Sequence, residues 1–308
     1  MSEKVLITGG TGLIGKALTS QLLDRGYKII ILTRKIPSDP QPRIQYEIWN
    51  VAKGEISSTA LRAADYIVHL AGSGVMDKKW TDDYKKEIAE SRTQSSALLI
   101  KGLKENEHKV RMLISSSAIG WYGEDPAPSP RDGFLESDPP ADDFLGHTCK
   151  NWELSIDPVL KMNIRLVKLR TGIVLSNDGG AYPEFKRSLK FGVASILGSG
   201  KQMISWIHIN DLCRMIIYSI ENDQVNGTYN AVAPAPVDNK KLILKTAKHL
   251  RGSFFVPVHI PEFVLKIILG SRSIEILKST TANCNKILLT GFTFLIPTID
   301  MAIADLGK

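Results

Sequence analysis

The fold is decided by residues Val5 to Gly15, which read V-L-I-T-G-G-T-G-L-I-G. The β-prone run Val5 to Thr8 enters a glycine-rich turn, and an apolar helical pattern with Leu18, Leu22 and Leu23 follows. This order predicts a strand, a tight turn and a helix. One glycine lets the chain turn sharply, another lets backbone approach a pyrophosphate, and the last lets the helix pack close on the sheet.

A pyrophosphate in such a turn would rest on the free N–H groups and the positive end of the helix. Glycine turns also close strands that bind nothing, but here the strand, the spacing and the helix all favour a dinucleotide site. The residues that we expect to contact the cofactor in this turn are Gly9, Thr11, Gly12, Leu13, Ile14 and Gly15.

Length and composition indicate an ordinary globular protein. The 308 residues suffice for one large α/β domain with an added lobe, and 43% are hydrophobic and 23% charged. The net charge of +7 suits nucleic acid, an acidic membrane face or an anionic cofactor and substrate. Because the basic residues are scattered and form no polybasic tract, we expect no nucleic-acid and no membrane partner.

The three cysteines, Cys149, Cys213 and Cys284, are far apart and have no metal-ligand spacing. They predict buried thiols in a reducing compartment and no metal site. The first strand begins within four residues of the N-terminus, which leaves no room for a signal peptide, and no apolar run approaches the ~20 residues of a membrane span. We therefore expect a cytoplasmic protein.

The second strand, Lys28 to Leu32, predicts the choice of cofactor. It ends in Thr33, Arg34 and Lys35, where an acidic residue would bind the ribose 2′-hydroxyl of NAD and an arginine accommodates a 2′-phosphate. NADP is therefore favoured, with Thr33 and Arg34 as contacts. After a third strand, Ile44 to Ile48, Asn50 is either an adenine contact or a turn-forming residue.

A fourth strand, Tyr66 to Leu70, runs into small residues at Ala71 and Gly72, where backbone can approach a ribose closely. A long helical pattern follows from about Thr81 to Lys104. Its interspersed charges Glu87 and Arg92 are, by periodicity alone, surface ion-pair partners. A fifth strand, Val110 to Ile114, then leads into the serine-rich stretch 115–117.

The chain resembles an extended short-chain dehydrogenase/reductase over nearly its whole length. More narrowly, it is similar to the atypical epimerase-family proteins described as nucleoside-diphosphate-sugar epimerase-like or cell-division-inhibitor-like. The motifs that carry the resemblance are T-G-G-T-G-L-I-G, T-R-K, H-L-A-G, S-S-S-A-I-G-W-Y-G and S-W-I-H-I-N-D-L.

The resemblance implies an α/β fold with a Rossmann-type doubly wound parallel sheet, bound NADP and a small C-terminal lobe for a small-molecule substrate. It implies that Leu70 and Ala71 contact the cofactor and that Glu87 and Arg92 face it. Val174, after the sixth strand, belongs to the nicotinamide end of the site, because ligands lie outside the carboxyl ends of the strands.

We expect residues 1–175, completed by 206–232, to form the NADP-binding domain, and residues 176–205 and 233–308 to form the substrate lobe. The stretch 124–143 is rich in proline, aspartate and serine and predicts a long loop at the substrate mouth. A helix from about Leu145 to Lys161 and a sixth strand, Arg165 to Leu169, follow. We expect a monomer or a homodimer.

The catalytic machinery of this superfamily requires a tyrosine and a lysine one helical turn apart, and a serine that polarises the substrate oxygen. By resemblance that serine is Ser117. Counting back from Lys150 reaches Gly146, and counting from Glu153 reaches Leu145 and Cys149, so the tyrosine is missing.

Other aromatic and imidazole side chains are weak candidates to replace the missing tyrosine. The sole Tyr-x-x-x-Lys, Tyr182 to Lys186, lies beyond the sixth strand and is discounted. Tyr122 either reaches the nicotinamide or packs in its loop. His208 is either a base or, as we favour, a structural residue.

Two functions remain open. The first is an NADP-dependent oxidoreductase or epimerase for a small polar substrate such as a nucleotide sugar. The second is a non-catalytic NADP-binding regulatory or sensor protein, read by a partner when cofactor occupancy moves the lobe. The retained Ser117 and the long mouth loop favour the first function, and the missing tyrosine favours the second.

Overall fold

The computed structural model describes residues 2–126 and 133–307. Within these ranges seven parallel strands form the main sheet: β1 (Lys4–Thr8), β2 (Lys28–Thr33), β3 (Ile44–Ile48), β4 (Tyr66–His69), β5 (Met112–Ala118), β6 (Arg165–Thr171) and β11 (Gly227–Ala231). Three further ladders have two strands each: β7 (Ile173–Leu175) with β10 (Trp206–His208), β9 (Met203–Ile204) with β12 (Val237–Asp238), and β8 (Val193–Leu197) with β13 (Val256–Ile260).

The helices of the described ranges flank the sheet or build the C-terminal part. They are α1 (Leu13–Asp24), α2 (Ser58–Ala63), α3 (Asp82–Glu105), α4 (Phe144–Ile156), α5 (Ala181–Arg187), α6 (Ile209–Glu221), α7 (Asn239–Arg251), α8 (Glu262–Leu269), α9 (Ser273–Leu277), α10 (Asn285–Leu288) and α11 (Ile299–Leu306). Short 3₁₀ turns follow β5, α4 and α5.

The main sheet is doubly wound, as predicted. Its strand order is β11-β6-β5-β4-β1-β2-β3, so the chain winds outward from β1 in one direction and returns to build the other half from β4. The order reverses between β1 and β4, and a crevice opens there at the carboxyl edge. Each face is covered: α1 and α6 pack on one through Leu18 and Ile216, and α2 and α3 on the other through Leu61 and Leu99.

The first four strands lie where the sequence predicts them to within one residue, because each is an apolar run bounded by turn residues. The fifth was placed wrongly: β5 runs from Met112 to Ala118, since its ladder with β6 continues to the pair Ala118 and Thr171. Ser117 therefore lies inside the strand. The helix predicted to reach Lys161 ends at Ile156, and a 3₁₀ turn with Pro158 at its start follows.

The C-terminal part contains strands as well as helices. Between α7 and α8, β13 runs through Pro257 as an edge strand beside β8. The mouth loop has no helix or strand in its described residues 124–126 and 133–143, and residues 127–132 of that prediction lie outside the described ranges. We propose the domain division stated above, with β11 completing the main sheet.

Candidate cofactor and active site

The crevice between β1 and β4 is formed by two backbone turns that contact each other. The Thr8 hydroxyl, at the end of β1, accepts hydrogen bonds from the backbone N–H groups of Leu70 and Ala71, each at 3.2 Å. It also lies 2.7 Å from Nδ1 of buried His69. This threonine therefore joins the glycine turn to the loop that follows β4.

Three of the four glycines in the turn, Gly9, Gly12 and Gly15, are required for different physical reasons. Gly9 has φ +69°, and a Cβ there would lie 2.9 Å from the carbonyl group of Leu70. A Cβ at Gly15 would collide with the carbonyl oxygen of Gly9. At Gly12 the nearest atom to a Cβ is the Gly9 oxygen at 3.3 Å, and φ is an ordinary −78°. The fold therefore needs glycine at positions 9 and 15, whereas at position 12 a side chain would make one tight contact, with the Gly9 oxygen, and otherwise extend above the turn.

Gly12 is also the N-cap of α1, and no side chain caps this helix or places an acid in its first turn. By contrast, the longer helices α3, α4, α6 and α7 are capped by Thr81, Asp143, His208 and Asp238. The first N–H groups of α1 are thus left without side-chain acceptors beside an exposed glycine. This is the donor arrangement that a pyrophosphate requires, and Thr11, Leu13 and Ile14 surround it.

The end of β2 presents a cation. The Thr33 hydroxyl donates to the carbonyl oxygen of Lys35 at 2.9 Å and shapes a turn that leaves Arg34 exposed. Among the described residues no ion pair of Arg34 occurs, and its charge contributes to lowering the pKa of Glu87 on α3. The geometry suits an arginine that meets an anionic group of a ligand.

Asn50 has a local role in the structure. Its backbone forms a bridge with Glu55, and its side-chain oxygen accepts from the N–H of Lys53 at 3.2 Å. This is the turn-forming alternative of the sequence analysis. The contact of Asn50 with adenine remains a proposal, in which its side-chain NH₂ group would donate to the base.

The charges on α3 lie beneath and beside the loop after β4. Arg92 is buried, and its Nη1 donates to the carbonyl oxygens of Ser73 at 3.0 Å and Ile88 at 2.7 Å. Its guanidinium lies 4.9 Å from the ring centre of Trp152, and burial lowers its pKa. A Cβ at Gly72 would lie 3.2 Å from the Arg92 side chain. Arg92 thus supports the loop at the crevice and has no carboxylate partner within the described residues.

Glu87, by contrast, is exposed. Its carboxylate pairs with Lys78 at 3.1 Å and accepts from the Ser73 hydroxyl at 3.0 Å. These two hydrogen bonds, with Lys78 the larger cause, lower the pKa of Glu87. Its contact with the cofactor remains a proposal.

Ser117 belongs to a buried polar network under the carboxyl edge. Its hydroxyl donates to Oε1 of Glu153 on α4 at 2.7 Å. Arg170, beside Ser117 in the β5–β6 ladder, donates to both oxygens of the same carboxylate at 2.8 and 3.1 Å. Ser117, Glu153 and Arg170 are each at most 5% exposed. Because the Ser117 proton is directed at Glu153, only its lone pairs remain for a ligand, whereas the sequence interpretation has this hydroxyl donate to the substrate.

The same network engages Tyr122 and the mouth loop. The Tyr122 hydroxyl donates to Asn230 at 2.6 Å and accepts from Arg170 at 3.0 Å, and its ring stacks on Phe134 with centres 5.0 Å apart. Burial raises the pKa of Tyr122 to about 12. Tyr122 is therefore a packed aromatic residue, and such a pKa makes it a poor proton relay near neutral pH.

Both alignments of the sequence analysis fall on α4 without a tyrosine: Gly146 is the position four before Lys150, and the positions counted from Glu153 hold Leu145 and Cys149, both buried. Burial raises the pKa of the Cys149 thiol to about 12. Neither side chain can carry a proton during turnover near neutral pH. All three cysteines are free and buried, which confirms that part of the sequence prediction.

The structure adds one segment that sequence reasoning missed. A Cβ at Gly180 would lie 3.4 Å from both the Leu13 side chain and the carbonyl oxygen of Val174. The loop of Gly179 and Gly180 therefore lies between Val174 and the Leu13 side chain in the first turn of α1. The Asn177–Asp178–Gly179–Gly180 run, typical of a turn, was the signal available in the sequence.

The remaining candidates are structural. Tyr182 is fully buried in the apolar cluster that includes Leu242 and Ile303, and Lys186 bonds to Asn177 at 2.6 Å. His208 is buried, and its Nδ1 accepts from the N–H of Asn210 as the cap of α6.

Within residues 2–126 and 133–307, no helix is both long and apolar enough to cross a bilayer. In the same ranges no group of three or more His, Cys, Asp or Glu side chains is placed to hold a metal ion.

Residues 5–144 match the NAD dependent epimerase/dehydratase family, and residues 260–306 match a domain of unknown function, DUF1731. Epimerase family protein SH2119 of Staphylococcus haemolyticus is 34% identical over 305 residues, with 99% of each chain covered. Epimerase family protein YfhF of Bacillus subtilis is 33% identical over 98% of this chain and 97% of its own.

Among solved structures, human epimerase family protein SDR39U1 (isoform 2) with NADPH superposes with a TM-score of 0.84 at 28% identity, over 99% of both chains. The nucleoside-diphosphate sugar epimerase from Corynebacterium glutamicum gives a TM-score of 0.78 at 31% identity, over all of this chain and 59% of its own. UDP-glucuronic acid 4-epimerase from Bacillus cereus, with UDP-glucuronic acid and NAD, shares the fold at 18% identity and a TM-score of 0.78.

Proposed function

The chain belongs to the epimerase family of extended short-chain dehydrogenases/reductases, and from this we propose that it is an NADP-dependent oxidoreductase or epimerase for a small polar substrate. The observation that carries the proposal is the pairing of an uncapped, glycine-lined start of α1 with exposed Arg34 at the end of β2. Bound NADP supplies a hydride acceptor or donor at the nicotinamide ring. The solved structure of SDR39U1 with NADPH supports the choice of cofactor.

The residues that we propose to hold the cofactor surround the crevice. In this arrangement the glycine turn binds the pyrophosphate and the end of β2 binds the 2′-phosphate. The loop after β4 contacts the ribose, and Val174 lies at the nicotinamide end. They are Gly9, Thr11, Gly12, Leu13, Ile14, Gly15, Thr33, Arg34, Asn50, Leu70, Ala71, Gly72, Glu87, Arg92 and Val174.

Arg34→Asp is expected to reverse the cofactor preference. The wild-type protein should bind NADPH more tightly than NADH by ~1 to 3 kcal/mol, the scale of a charge-assisted hydrogen bond. An aspartate at this place repels the 2′-phosphate and accepts from a 2′-hydroxyl. Isothermal titration with both cofactors measures the change, and Arg62→Asp, on exposed α2, is the matched control. Equal wild-type affinities for NADPH and NADH would contradict the assignment.

For chemistry we propose Ser117 as the residue that touches the reacting oxygen. Its proton is directed at Glu153, so its lone pairs suit a substrate hydroxyl that donates to it. An alcohol can donate to these lone pairs whereas a carbonyl oxygen can only accept, so we favour an alcohol as substrate; on its oxidation the hydroxyl proton would pass to the Ser117 oxygen as the Ser117 proton moves to Glu153. The name of the Corynebacterium glutamicum neighbour supports a nucleotide sugar as the substrate class.

Ser117→Ala is expected to lower turnover by ~100-fold or more, the usual loss for one polar contact at a reacting oxygen. Ser115→Ala, on the same face of β5, and Tyr182→Phe or Lys186→Ala, in the C-terminal part, should stay within a few-fold of the parent. The assay follows NADPH absorbance with a panel of alcohols, carbonyl compounds and nucleotide sugars. If Tyr182→Phe removes an activity that Ser117→Ala spares, the site is placed wrongly.

A non-catalytic NADP sensor is the second candidate, and the observation that favours it is that α4 has no tyrosine at Gly146 or at buried Leu145 and Cys149, the positions that the two alignments give for a proton relay. NADP binding without turnover across the whole substrate panel would favour this candidate. We also propose a cytoplasmic location, since the three thiols are free, and a monomer or a homodimer.

A further inference from the structure

Two phenylalanines far apart in sequence project from one tip of the C-terminal part. Phe191 is 84% exposed and Phe254 is 86% exposed, and Val256 beside them is 63% exposed. Hydrogen bonds hold their two turns together: Val256 N–H donates to Gly192 O at 2.8 Å, and Arg251 donates to Lys190 O at 2.7 Å. We call Phe191, Phe254 and Val256, with Lys190, Lys248 and Arg251, the aromatic tip.

The two turns of the aromatic tip face open space. Gly192 and Gly252 both have positive φ, +75° and +61°. A Cβ at Gly252 would meet no atom within 4 Å, and one at Gly192 only the Phe254 oxygen at 3.8 Å. Single exposed apolar residues are common on soluble proteins, but two nearly bare aromatic rings on adjoining turns are an apolar patch that needs a partner.

The charge on the aromatic tip is basic. Residues 248–258, which include Phe254 and Val256, carry Lys248 and Arg251 and no Asp or Glu. Residues 185–193 add three basic residues and no acid, and Glu184, just before them, is paired with Arg187.

We propose that the aromatic tip docks the protein on an anionic lipid bilayer. Exposed aromatic side chains among basic residues are typical of surfaces that bind anionic membranes. The rings insert into the membrane interface, and the Lys and Arg side chains bind lipid phosphates. A second copy docked through the same tip would bring like charges together. Strand addition at β13 is hindered by Pro257, which lacks an N–H group.

This proposal departs from the sequence-based expectation of no membrane partner. That expectation rested on the lack of a spanning segment and of a polybasic tract. The aromatic tip is assembled from residues 190–192 and 248–256, which become neighbours only through the β8–β13 ladder.

The test is sedimentation of the full-length protein with vesicles of phosphatidylcholine alone and of phosphatidylcholine mixed with phosphatidylglycerol. The parent should bind the mixed vesicles, and added salt should weaken the binding. Phe191→Ala combined with Phe254→Ala should reduce it ~10-fold or more, as should Lys190→Gln combined with Lys248→Gln. All four positions are exposed, so the thermal midpoint should stay unchanged.

Matched controls lie elsewhere on the surface. Leu289→Ala with Leu295→Ala removes exposed apolar side chains, and Lys53→Gln with Lys161→Gln removes exposed charges, away from the tip. Both control pairs should bind as the parent does. The proposal is overturned if the parent does not bind the mixed vesicles, which is the result expected if the tip binds an acidic protein instead. It is also overturned if neutral vesicles bind equally well, or if a control pair weakens binding as much as its counterpart.

Discussion

Gly12→Val is expected to abolish NADPH binding while leaving the fold intact. In the structure a Cβ at position 12 meets only the Gly9 oxygen, at 3.3 Å, a tight contact that a shift of a few tenths of an ångström in the turn would relieve. The branched valine would instead occupy the space above the uncapped start of α1. Two charge-assisted hydrogen bonds from backbone N–H groups to a pyrophosphate contribute ~3 kcal/mol or more together, so affinity should fall by ~100-fold or more.

Isothermal titration with NADPH measures the affinity, and thermal unfolding without cofactor checks the fold. Ser20→Val introduces the same side chain at an exposed position of α1 and should leave the affinity unchanged. Gly15→Ala is the contrasting variant, because its Cβ would collide with the Gly9 oxygen and should lower stability as well. Unchanged NADPH affinity in Gly12→Val would contradict the proposed pyrophosphate site.

Glu153→Ala is expected to give the largest loss of stability of any single change at the site. It would leave Arg170, at 3% exposure, without the carboxylate to which its Nε and Nη2 now donate at 2.8 and 3.1 Å. Burial lowers the pKa of Arg170, and the hydrogen bonds and charge of Glu153 offset this and hold that pKa above its ordinary value. Breaking a buried pair on one side costs about 3 to 5 kcal/mol in free energy of unfolding.

Denaturant unfolding measures this loss, and a compensating variant tests its cause. Glu153→Leu combined with Arg170→Met removes both charges and should recover much of the stability, because no uncompensated charge stays buried. Glu90→Ala breaks the exposed pair with Lys86, whose nitrogen and oxygen lie 3.8 Å apart, and should change the free energy by less than about 1 kcal/mol. A loss for Glu153→Ala no larger than for Glu90→Ala would refute the argument.

These two experiments separate the cofactor site from its support. A side chain at position 12 would project above the start of α1, whereas Glu153 holds Ser117 and Arg170 from below the carboxyl edge. A variant that stays folded but no longer binds NADPH has lost the cofactor site in the crevice. A protein that unfolds more easily reports on the buried network, so a drop in turnover from Ser117→Ala should be interpreted together with its stability.

Local sequence determined the strand, turn and helix of residues 4–24, and the doubly wound sheet followed from the family resemblance that their motif begins. Apolar runs such as Ile29 to Leu32 need burial on both faces, and the Gly9 and Gly15 positions admit no side chain, so pattern and composition suffice there. The exposed cation Arg34 and the missing tyrosine were equally visible, since each depends on a single position next to a recognisable element.

Only the tertiary structure decided what Ser117, Tyr122 and the two exposed phenylalanines do. Glu153 reaches Ser117 across 36 positions, Asn230 reaches Tyr122 across 108, and Phe191 meets the turn of Phe254 through a ladder between distant strands. No local hydrophobic period or motif spacing in the sequence indicates such pairs. The physical reason is that the partner of a buried polar group, and the surroundings of an exposed ring, depend on how separate elements pack in space.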